Sequence, residues 1–274
     1  MEYDAERVAA FYDDYGDREW TRFEDGRTSS LSLAVHRHYI DRFVRAGDRV
    51  LDVGAGPGRF TLQLAELGAQ VTVADISDRQ LELNRARLSA AGLAGRIESL
   101  VRADIVDLGA FDDSQFDVVV CYGGPLSYVL DRASDALREL VRVLKPGGTL
   151  LLSVMSLVGS TAAGLPTVLR ELRDIGPEII GRVIATGELS QSLSGHFDMR
   201  MYRWRQLEGL LLRQALVIVA ASASGLAFGR LHQESIDELT PDELATVTAW
   251  VIDLAAEPGA VDMGEHIIAV ARKR

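Results

Sequence analysis

Apolar residues in this chain occur in short, strand-like segments that are separated by longer stretches with helical spacing. The short runs are rich in Val, Leu and Ile, which is typical of strands. They are Arg49–Val53, Gln70–Ala74, Ile97–Arg102, Phe116–Cys121 and Thr149–Val154. The helical patterns between them cover Thr61–Leu67, Asp78–Ala91 and Ala133–Leu144. Repeated strand–helix–strand units of this spacing predict an α/β fold with a right-handed, doubly wound parallel sheet.

The pattern changes after Met155. Residues 156–200 contain small residues, two prolines and mixed amphipathic pieces, and we expect them to form a helical insertion over the cleft of the sheet. The remaining predicted elements are a helix at Trp204–Leu212, a strand at Leu216–Ala223, a helix at Pro241–Ala255 and a last strand at His266–Ala271. Thr240 followed by Pro241 and Glu243 predicts a capped helix start.

The ends of the predicted parallel strands indicate where a ligand would bind. Ligands of doubly wound sheets lie at the carboxyl ends of the strands. The loops that follow Val53, Ala74, Ala103 and Cys121 should therefore line one cleft.

Composition excludes several classes of protein. Cys121 is the only cysteine, so neither an intramolecular disulfide nor a multi-cysteine zinc site is possible. The formal net charge of −11 disfavours nucleic acid as a partner. The N-terminal stretch is charged from residue 2, and no apolar stretch is long enough to cross a membrane. We expect a cytoplasmic protein without a membrane partner.

The sequence VLDVGAGPGRF at residues 50–60 runs from a strand into a glycine-rich turn. A dinucleotide-binding G-x-G-x-x-G turn would need glycine where Arg59 stands, and the G-x-x-x-x-G-K-[ST] pattern of a P-loop is missing. Pro57 also removes a backbone N–H that a phosphate would use. The turn therefore favours a nucleoside ligand without phosphates.

Five motifs in series resemble the class I S-adenosylmethionine-dependent methyltransferases. VLDVGAGPG resembles the first motif of that family and VTVADIS its acidic second motif. RADIVDL, FDVVVCYG and LRELVRVLKPGGTLLLSV resemble the later motifs in order and spacing. The resemblance covers about residues 45–155. It implies a Rossmann-like, mostly parallel seven-stranded sheet whose last strand is antiparallel, with S-adenosylmethionine as cofactor and S-adenosylhomocysteine as product.

The resemblance also implies a role for each cofactor-binding residue. Asp52 would help to hold the methionine end, Asp75 would accept the ribose hydroxyls, and Asp104 would accept the adenine amino group. Gly54 and Gly56 would let the main chain approach the ligand. The full predicted set is Asp52, Gly54, Ala55, Gly56, Asp75, Ile76, Asp104, Ile105, Cys121 and Tyr122. The same comparison divides the chain into an N-terminal leader or lid (1–45), a cofactor-binding core (46–155), a lid and substrate insertion (156–200) and the C-terminal part of the core sheet (201–274).

The stretch after the fourth strand restricts the reaction. It reads Cys121-Tyr122-Gly123-Gly124-Pro125 rather than the Asn/Asp-Pro-Pro-aromatic motif of enzymes that methylate base amines. Cys121 follows Val120, so it does not resemble the cysteine nucleophile of cytosine-C5 enzymes, and no acidic cluster suggests a metal. We therefore expect methyl transfer to an oxygen or nitrogen, in preference to a carbon, of a small molecule. A homodimer is possible.

The leader and the histidines supply further candidates. Tyr12, Tyr15, Trp20 and Arg22 are expected either to line the pocket or to pack on the core. Of the five histidines, we expect a structural role for His266 and surface roles for His36 and His38. His196 lies in the insertion and is the predicted base or hydrogen-bonding partner of the substrate.

Other functions remain open at this point. The same motifs would serve an enzyme that uses the cofactor without methyl transfer, or a sensor that only binds it. An RNA or protein methyltransferase is less compatible with the acidic charge. A nicotinamide dehydrogenase is disfavoured by Arg59.

Overall fold

The computed structural model describes residues 1–21, 26–194, 197–226 and 233–274. Its strands are β1 (Arg49–Val53), β2 (Gln70–Asp75), β3 (Ile97–Arg102), β4 (Phe116–Cys121), β5 (Leu144–Met155), β6 (Glu188–Leu189), β7 (Met199–Arg200), β8 (Leu216–Leu226) and β9 (Gly264–Lys273). Its longer helices are α1 (Ala5–Tyr15), α3 (Gly26–Phe43), α4 (Arg59–Glu66), α5 (Asp78–Ala90), α7 (Ala133–Val143), α9 (Leu165–Ile175), α10 (Pro177–Thr186), α12 (Trp204–Leu212) and α14 (Pro241–Ala255). The short helices are α2 (Arg18–Thr21), α6 (Pro125–Tyr128), α8 (Leu157–Ala163), α11 (Gln191–Ser194) and α13 (Gln233–Asp237).

Seven strands form the central sheet in the order β3-β2-β1-β4-β5-β9-β8. Strands β1 to β5 pair in parallel, whereas β9 lies antiparallel between β5 and β8. This confirms the predicted doubly wound, Rossmann-like α/β sheet with an antiparallel last strand. It also places the beginning of β9 at the same edge as the carboxyl ends of β1 to β5.

Two apolar layers bury the two faces of the sheet. Leu51, Val119 and Leu152 pack on the face covered by α7 and α12. Val50 and Val120 pack on the opposite face, which α3, α4 and α14 cover. Since successive strand residues point to opposite faces, strands covered on both sides read as continuous apolar runs. That is why the short apolar runs identified the strands.

Most predicted elements agree with the structure within a few residues, with one instructive exception. The sequence predicts a strand only from Thr149, but β5 already begins at Leu144. Phe116 of β4 pairs with Leu144 and Val118 pairs with Thr149, so the Pro-Gly-Gly segment forms a bulge inside the strand. The predicted caps are present: Ser77 accepts from the backbone of Gln80, and Thr240 and Glu243 form a capping box.

The insertion after β5 is mainly helical, as predicted, and contains α8 to α11. It also contains a small antiparallel sheet in which Glu188 and Leu189 pair with Arg200 and Met199. No sequence pattern predicts these strands, because each is only two residues long. Within the described ranges, no helix is long and apolar enough to cross a membrane.

Candidate functional site

One large cleft opens at the carboxyl edge of the sheet, where the sequence predicts it. The cleft has an empty volume of about 1000 Å³, which includes the open space at its entrance. The loops after β1, β2, β3 and β4 line it, together with parts of α1, α3 and β9. Predicted site residues that line the cleft are Gly54, Ala55, Gly56, Asp75, Ile76, Asp104, Ile105 and Tyr122.

The glycine turn brings the β1 loop against the loop that follows β4. Gly54 has φ +65°, and a Cβ added there would lie 2.3 Å from Cγ of Pro125. The sequence-based expectation was that this glycine makes room for a ligand, whereas its nearest neighbour is a proline of the protein itself. A side chain at residue 54 would therefore move one cleft wall against the other.

Asp75 lies at the end of β2 and holds the glycine turn. One carboxylate oxygen accepts from the Gly56 N–H at 2.8 Å, and the other accepts from the Ser77 N–H at 2.9 Å. Burial raises the pKa of Asp75 to about 6, while these hydrogen bonds act in the opposite direction. Each carboxylate oxygen has a further lone pair, so the side chain retains accepting capacity toward the cleft.

Asp52 does not line the cleft but lies behind its wall. Its predicted help in holding the methionine end, through water or the backbone, stays a prediction. Its carboxylate accepts from the Thr61 hydroxyl at 2.6 Å, and the Asn84 amide donates to that hydroxyl and to the Gly56 carbonyl. Burial raises the pKa of Asp52 to about 7. Its side chain points from β1 toward α4 and α5, so Asp52 supports the turn from below.

Cys121 also lies behind the wall rather than on it. Its side chain is fully buried in the core beside Leu51, Val119 and Leu126, and burial raises the pKa of its thiol to about 12. Alternate residues of β4 face this core, and Cys121 is one of them, so its side chain does not reach the cleft. The next residue, Tyr122, lines the cleft instead.

Asp104 lines the cleft and is engaged by the N-terminal segment. The Tyr3 hydroxyl donates to one of its oxygens at 2.8 Å, and the Val106 N–H donates to the other at 3.0 Å. The sequence did not suggest a role for Tyr3. This contact occupies one side of the carboxylate that was predicted to accept from adenine.

The N-terminal leader packs on α4 and α5. The guanidinium carbons of Arg59 and Arg87 lie over the Trp20 ring, 4.1 and 4.2 Å from its centroid. The backbone carbonyl of Trp20 also accepts a hydrogen bond from Arg59 at 2.5 Å. Tyr12 and Glu19 line the cleft. The side chain of Tyr15 instead stacks on Phe11 and packs against Arg18. Arg22 lies outside the described residues.

Gln80 is a polar residue of the cleft that sequence reasoning missed. Its amide nitrogen donates to the carbonyls of Tyr12 and Gly16 at 3.0 and 2.9 Å, which fixes the orientation of the amide. Its oxygen is buried and has no hydrogen-bond partner among the residues that the structure describes. A buried acceptor of this kind in a cleft wall suits a donor on a bound ligand.

The histidines differ most from expectation. His36 was expected at the surface, but it is 4% exposed and lines the cleft, and His266 lines it as well. His38 is half-buried. His196, the predicted base, and His232 lie outside the described residues.

Charge in the cleft favours a cationic ligand over a phosphate. Among the described residues that line it, the side chains with a formal charge are Glu19, Asp75, Asp104 and Arg59. Three carboxylates and one guanidinium give a negative balance, and the guanidinium is already engaged by the leader. Among the described residues, those of the cleft included, no group of three or more His, Cys, Asp or Glu residues is placed to hold a metal ion.

Comparisons with known proteins agree with this geometry. A family model described as a methyltransferase domain matches residues 50–148. The ubiquinone/menaquinone biosynthesis C-methyltransferase UbiE of Azotobacter vinelandii is 42% identical over 130 residues, which are 44% of this chain and 49% of that protein. A demethylmenaquinone methyltransferase of Clavibacter sepedonicus is 43% identical over 111 residues, which are 40% of this chain and 42% of that protein. The chain spans about half the length of the curated relatives that it matches.

Solved structures share the fold at low sequence identity. A 1,6-didemethyltoxoflavin-N1-methyltransferase of Burkholderia thailandensis, solved with its substrate and S-adenosylhomocysteine, has a TM-score of 0.59 at 18% identity and covers 100% of this chain and 91% of its own. The [4+2]-cyclase SpnF has a TM-score of 0.53 at 23% identity, with 90% of this chain and 81% of its own covered. These similarities establish the fold alone.

Proposed function

We propose that this chain is a class I S-adenosylmethionine-dependent methyltransferase that transfers a methyl group from S-adenosylmethionine to a small molecule, which the match of residues 50–148 to a methyltransferase domain supports. The observation that carries the proposal is the arrangement at the end of β2. There, Asp75 accepts a hydrogen bond from the glycine turn and lines a cleft whose charged side chains have a net negative charge. S-adenosylhomocysteine would be the product.

The cleft residues suit each part of the cofactor. Asp75 and the buried oxygen of Gln80 would accept from the ribose hydroxyls. Asp104 would accept from the adenine amino group, and Ile76 and Ile105 would pack on the adenine ring. The fit rests on acceptor groups for a nucleoside and on the carboxylates that would favour its cationic sulfonium.

The cofactor would supply an electrophilic methyl group when bound, so the protein needs to contribute alignment and exclusion of water. The Asp52–Thr61–Asn84 network holds the glycine turn in place. The leader lines part of the cleft through Tyr12 and Glu19 and would limit access of water. The insertion after β5 would complete the acceptor side.

The acceptor is proposed to be a small molecule that is methylated at carbon. The sequence favoured oxygen or nitrogen, and nothing in the geometry tests the atom. The curated relatives supply the reason for the change, because UbiE is named as a C-methyltransferase of quinone biosynthesis. The predictions of no nucleic-acid partner, no metal and a possible homodimer stay predictions.

Calorimetric titration with S-adenosylmethionine, S-adenosylhomocysteine and NAD tests the cofactor. Asp75→Asn should weaken binding of the first two about 10- to 100-fold, since a hydrogen bond to a charged group contributes about 1.5–3 kcal/mol. Asp78→Asn is the matched control, because Asp78 is the first residue of α5, three positions after Asp75, and its exposed carboxylate pairs with Arg102. Wild-type affinity in Asp75→Asn, or binding of NAD alone, would contradict the proposal.

Product analysis separates methyl transfer from other uses of the cofactor. The protein is incubated with labelled S-adenosylmethionine and a panel of quinols, phenols and amines. Transfer of label to an acceptor, with matching release of S-adenosylhomocysteine, is the expected result. Cofactor binding with a rearranged but unlabelled product would favour an enzyme that does not transfer methyl groups.

A further inference from the structure

The cleft has a second half that the cofactor residues do not account for. Along the carboxyl edge of the sheet, Asp104, Asp75 and the glycine turn follow β3, β2 and β1. Beyond them, on the side of β4 and β9, His266 and the side chain of His36 from α3 continue the wall, next to Tyr122 of the predicted cofactor-binding set. An acceptor must lie beside the methyl donor for in-line transfer, and this half of the same cleft is adjacent to the proposed cofactor half.

The His36 ring is held in a fixed orientation. Its Nδ1 lies 3.2 Å from the Ser32 carbonyl oxygen and 3.1 Å from the Ser224 hydroxyl. The Ser224 hydroxyl donates to the Ser32 carbonyl at 2.9 Å. A carbonyl oxygen only accepts, so the contact with Ser32 favours the tautomer whose Nδ1 carries the proton, whereas acceptance from the Ser224 hydroxyl would need the other tautomer. In the tautomer that the carbonyl contact favours, Nε2 is the nitrogen with the lone pair.

The surroundings of His36 are aromatic. Its ring contacts Phe60, Tyr122 and His266, with centroid distances of 5.3, 4.8 and 5.8 Å. Tyr122 and His266 are the ionisable residues among these neighbours. Burial raises the pKa of the Tyr122 hydroxyl well above its ordinary value, so this residue stays protonated and the imidazoles are the basic groups of the wall. Aromatic walls around a basic nitrogen suit a flat ring that carries a hydroxyl group.

We propose that His36 accepts the proton of an O–H group on the methyl acceptor, with Ser32 and Ser224 positioning its ring. The inference rests on the proposed methyltransferase function and names a residue for its acceptor site. The O–H bond of the acceptor breaks and an N–H bond forms at Nε2, with the electron pair left on oxygen. That pair attacks the methyl group directly or, for the carbon acceptor of the proposed function, is delocalised to a conjugated ring carbon that attacks. The pair of the broken S–CH3 bond remains on sulfur as a thioether. After attack by carbon, the methylated ring carbon releases its hydrogen as a proton and the oxygen regains a proton from the imidazolium, which restores the aromatic ring.

The test uses 4-nitrophenol as the probe, because its ionised form absorbs visible light and its neutral form does not. The probe is titrated into wild-type protein saturated with S-adenosylhomocysteine, at a pH where the free probe is about half ionised. Proton acceptance by His36 should raise the phenolate-to-phenol ratio of the bound probe about tenfold over the free probe, which corresponds to one pKa unit. His36→Gln should return the ratio to that of the free probe. His38→Gln, two residues along α3, is the matched control and should behave as wild type.

Separate readouts distinguish the possible failures. Calorimetry with S-adenosylhomocysteine is run on every variant; no binding to wild-type protein means that the proposed function itself has failed. Binding lost only in His36→Gln would place His36 on the cofactor and overturn the inference. An unshifted ratio in wild type, or an unchanged one in His36→Gln, would also overturn it. If His36→Gln does not fold, Ser224→Ala decides: a reduced ratio with normal cofactor binding supports the positioning role, and a wild-type ratio overturns it.

Discussion

Replacing Gly54 by alanine tests the close approach between the glycine turn and the loop after β4. The added Cβ would lie 2.3 Å from Cγ and 2.9 Å from Cβ of Pro125, at a residue whose φ is +65°. Neither the proline nor the turn can yield freely, because Pro125 begins α6 and the turn is tied to Asp75. We expect Gly54→Ala to destabilise the fold and to weaken cofactor binding together.

The magnitude can be worked from two contributions. A non-glycine residue in the left-handed region costs about 1–2 kcal/mol, offset by about 0.4–1 kcal/mol from the lower entropy of the unfolded chain. Overpacking adds about 1–3 kcal/mol. Gly92→Ala isolates the first contribution, because Gly92 has φ +70° and no neighbour within 4 Å of an added Cβ. Gly54→Ala should therefore lose about 2–4 kcal/mol, and Gly92→Ala about 1 kcal/mol.

Urea unfolding with a common m-value measures the two stabilities, and calorimetry measures S-adenosylhomocysteine affinity. Pro125→Ala removes the nearest atom, so the double variant Gly54→Ala/Pro125→Ala should recover about 1 kcal/mol beyond additivity. Equal stability of Gly54→Ala and Gly92→Ala, with wild-type cofactor affinity in both, would refute the argument from close approach.

Three further predictions concern groups around the cleft. Burial raises the pKa of Asp52 to about 7 in the folded protein, whereas the pKa of an Asp in the unfolded chain is near 3.9. The stabilisation from the bound proton is therefore fully present below about pH 3.9 and is lost as the pH rises through about 7. Asp52→Asn should thus gain stability relative to wild type between about pH 4 and pH 7, by up to about 1.4 kcal/mol per pH unit, and a flat difference in urea unfolding would count against it. Trp20→Ala removes both cation–π contacts, each worth about 0.5–1 kcal/mol, and should speed proteolysis of the leader. The control Trp250→Ala, at a residue that is 62% exposed, should not, and equal proteolysis rates in the two variants would reject the leader contact. Tyr3→Phe removes the hydroxyl that donates to Asp104 and should tighten S-adenosylhomocysteine binding about 2- to 10-fold by calorimetry, while weaker binding would show that the hydroxyl serves the ligand.

The sequence by itself determined the order of elements and the cofactor half of the cleft. Arg49–Val53 and Phe116–Cys121 have the predicted bounds, because strands buried on both faces need nearly continuous apolar residues. The edge strand Ile97–Arg102 also has its predicted bounds, although it is only partly buried. The glycine turn and Asp75 were also found, since strand ends at one sheet edge converge whatever the details of packing.

The tertiary structure alone decided which side chains face the cleft. Asp52 and Cys121 were assigned to the ligand but point behind its wall, because the direction of a strand-end side chain depends on which helix covers each face. His36, Gln80 and His266 come from three distant segments that only the sheet order and the packing of α3 and α5 bring to one edge. No local pattern carries that information, because it arises from contacts between residues far apart in the chain.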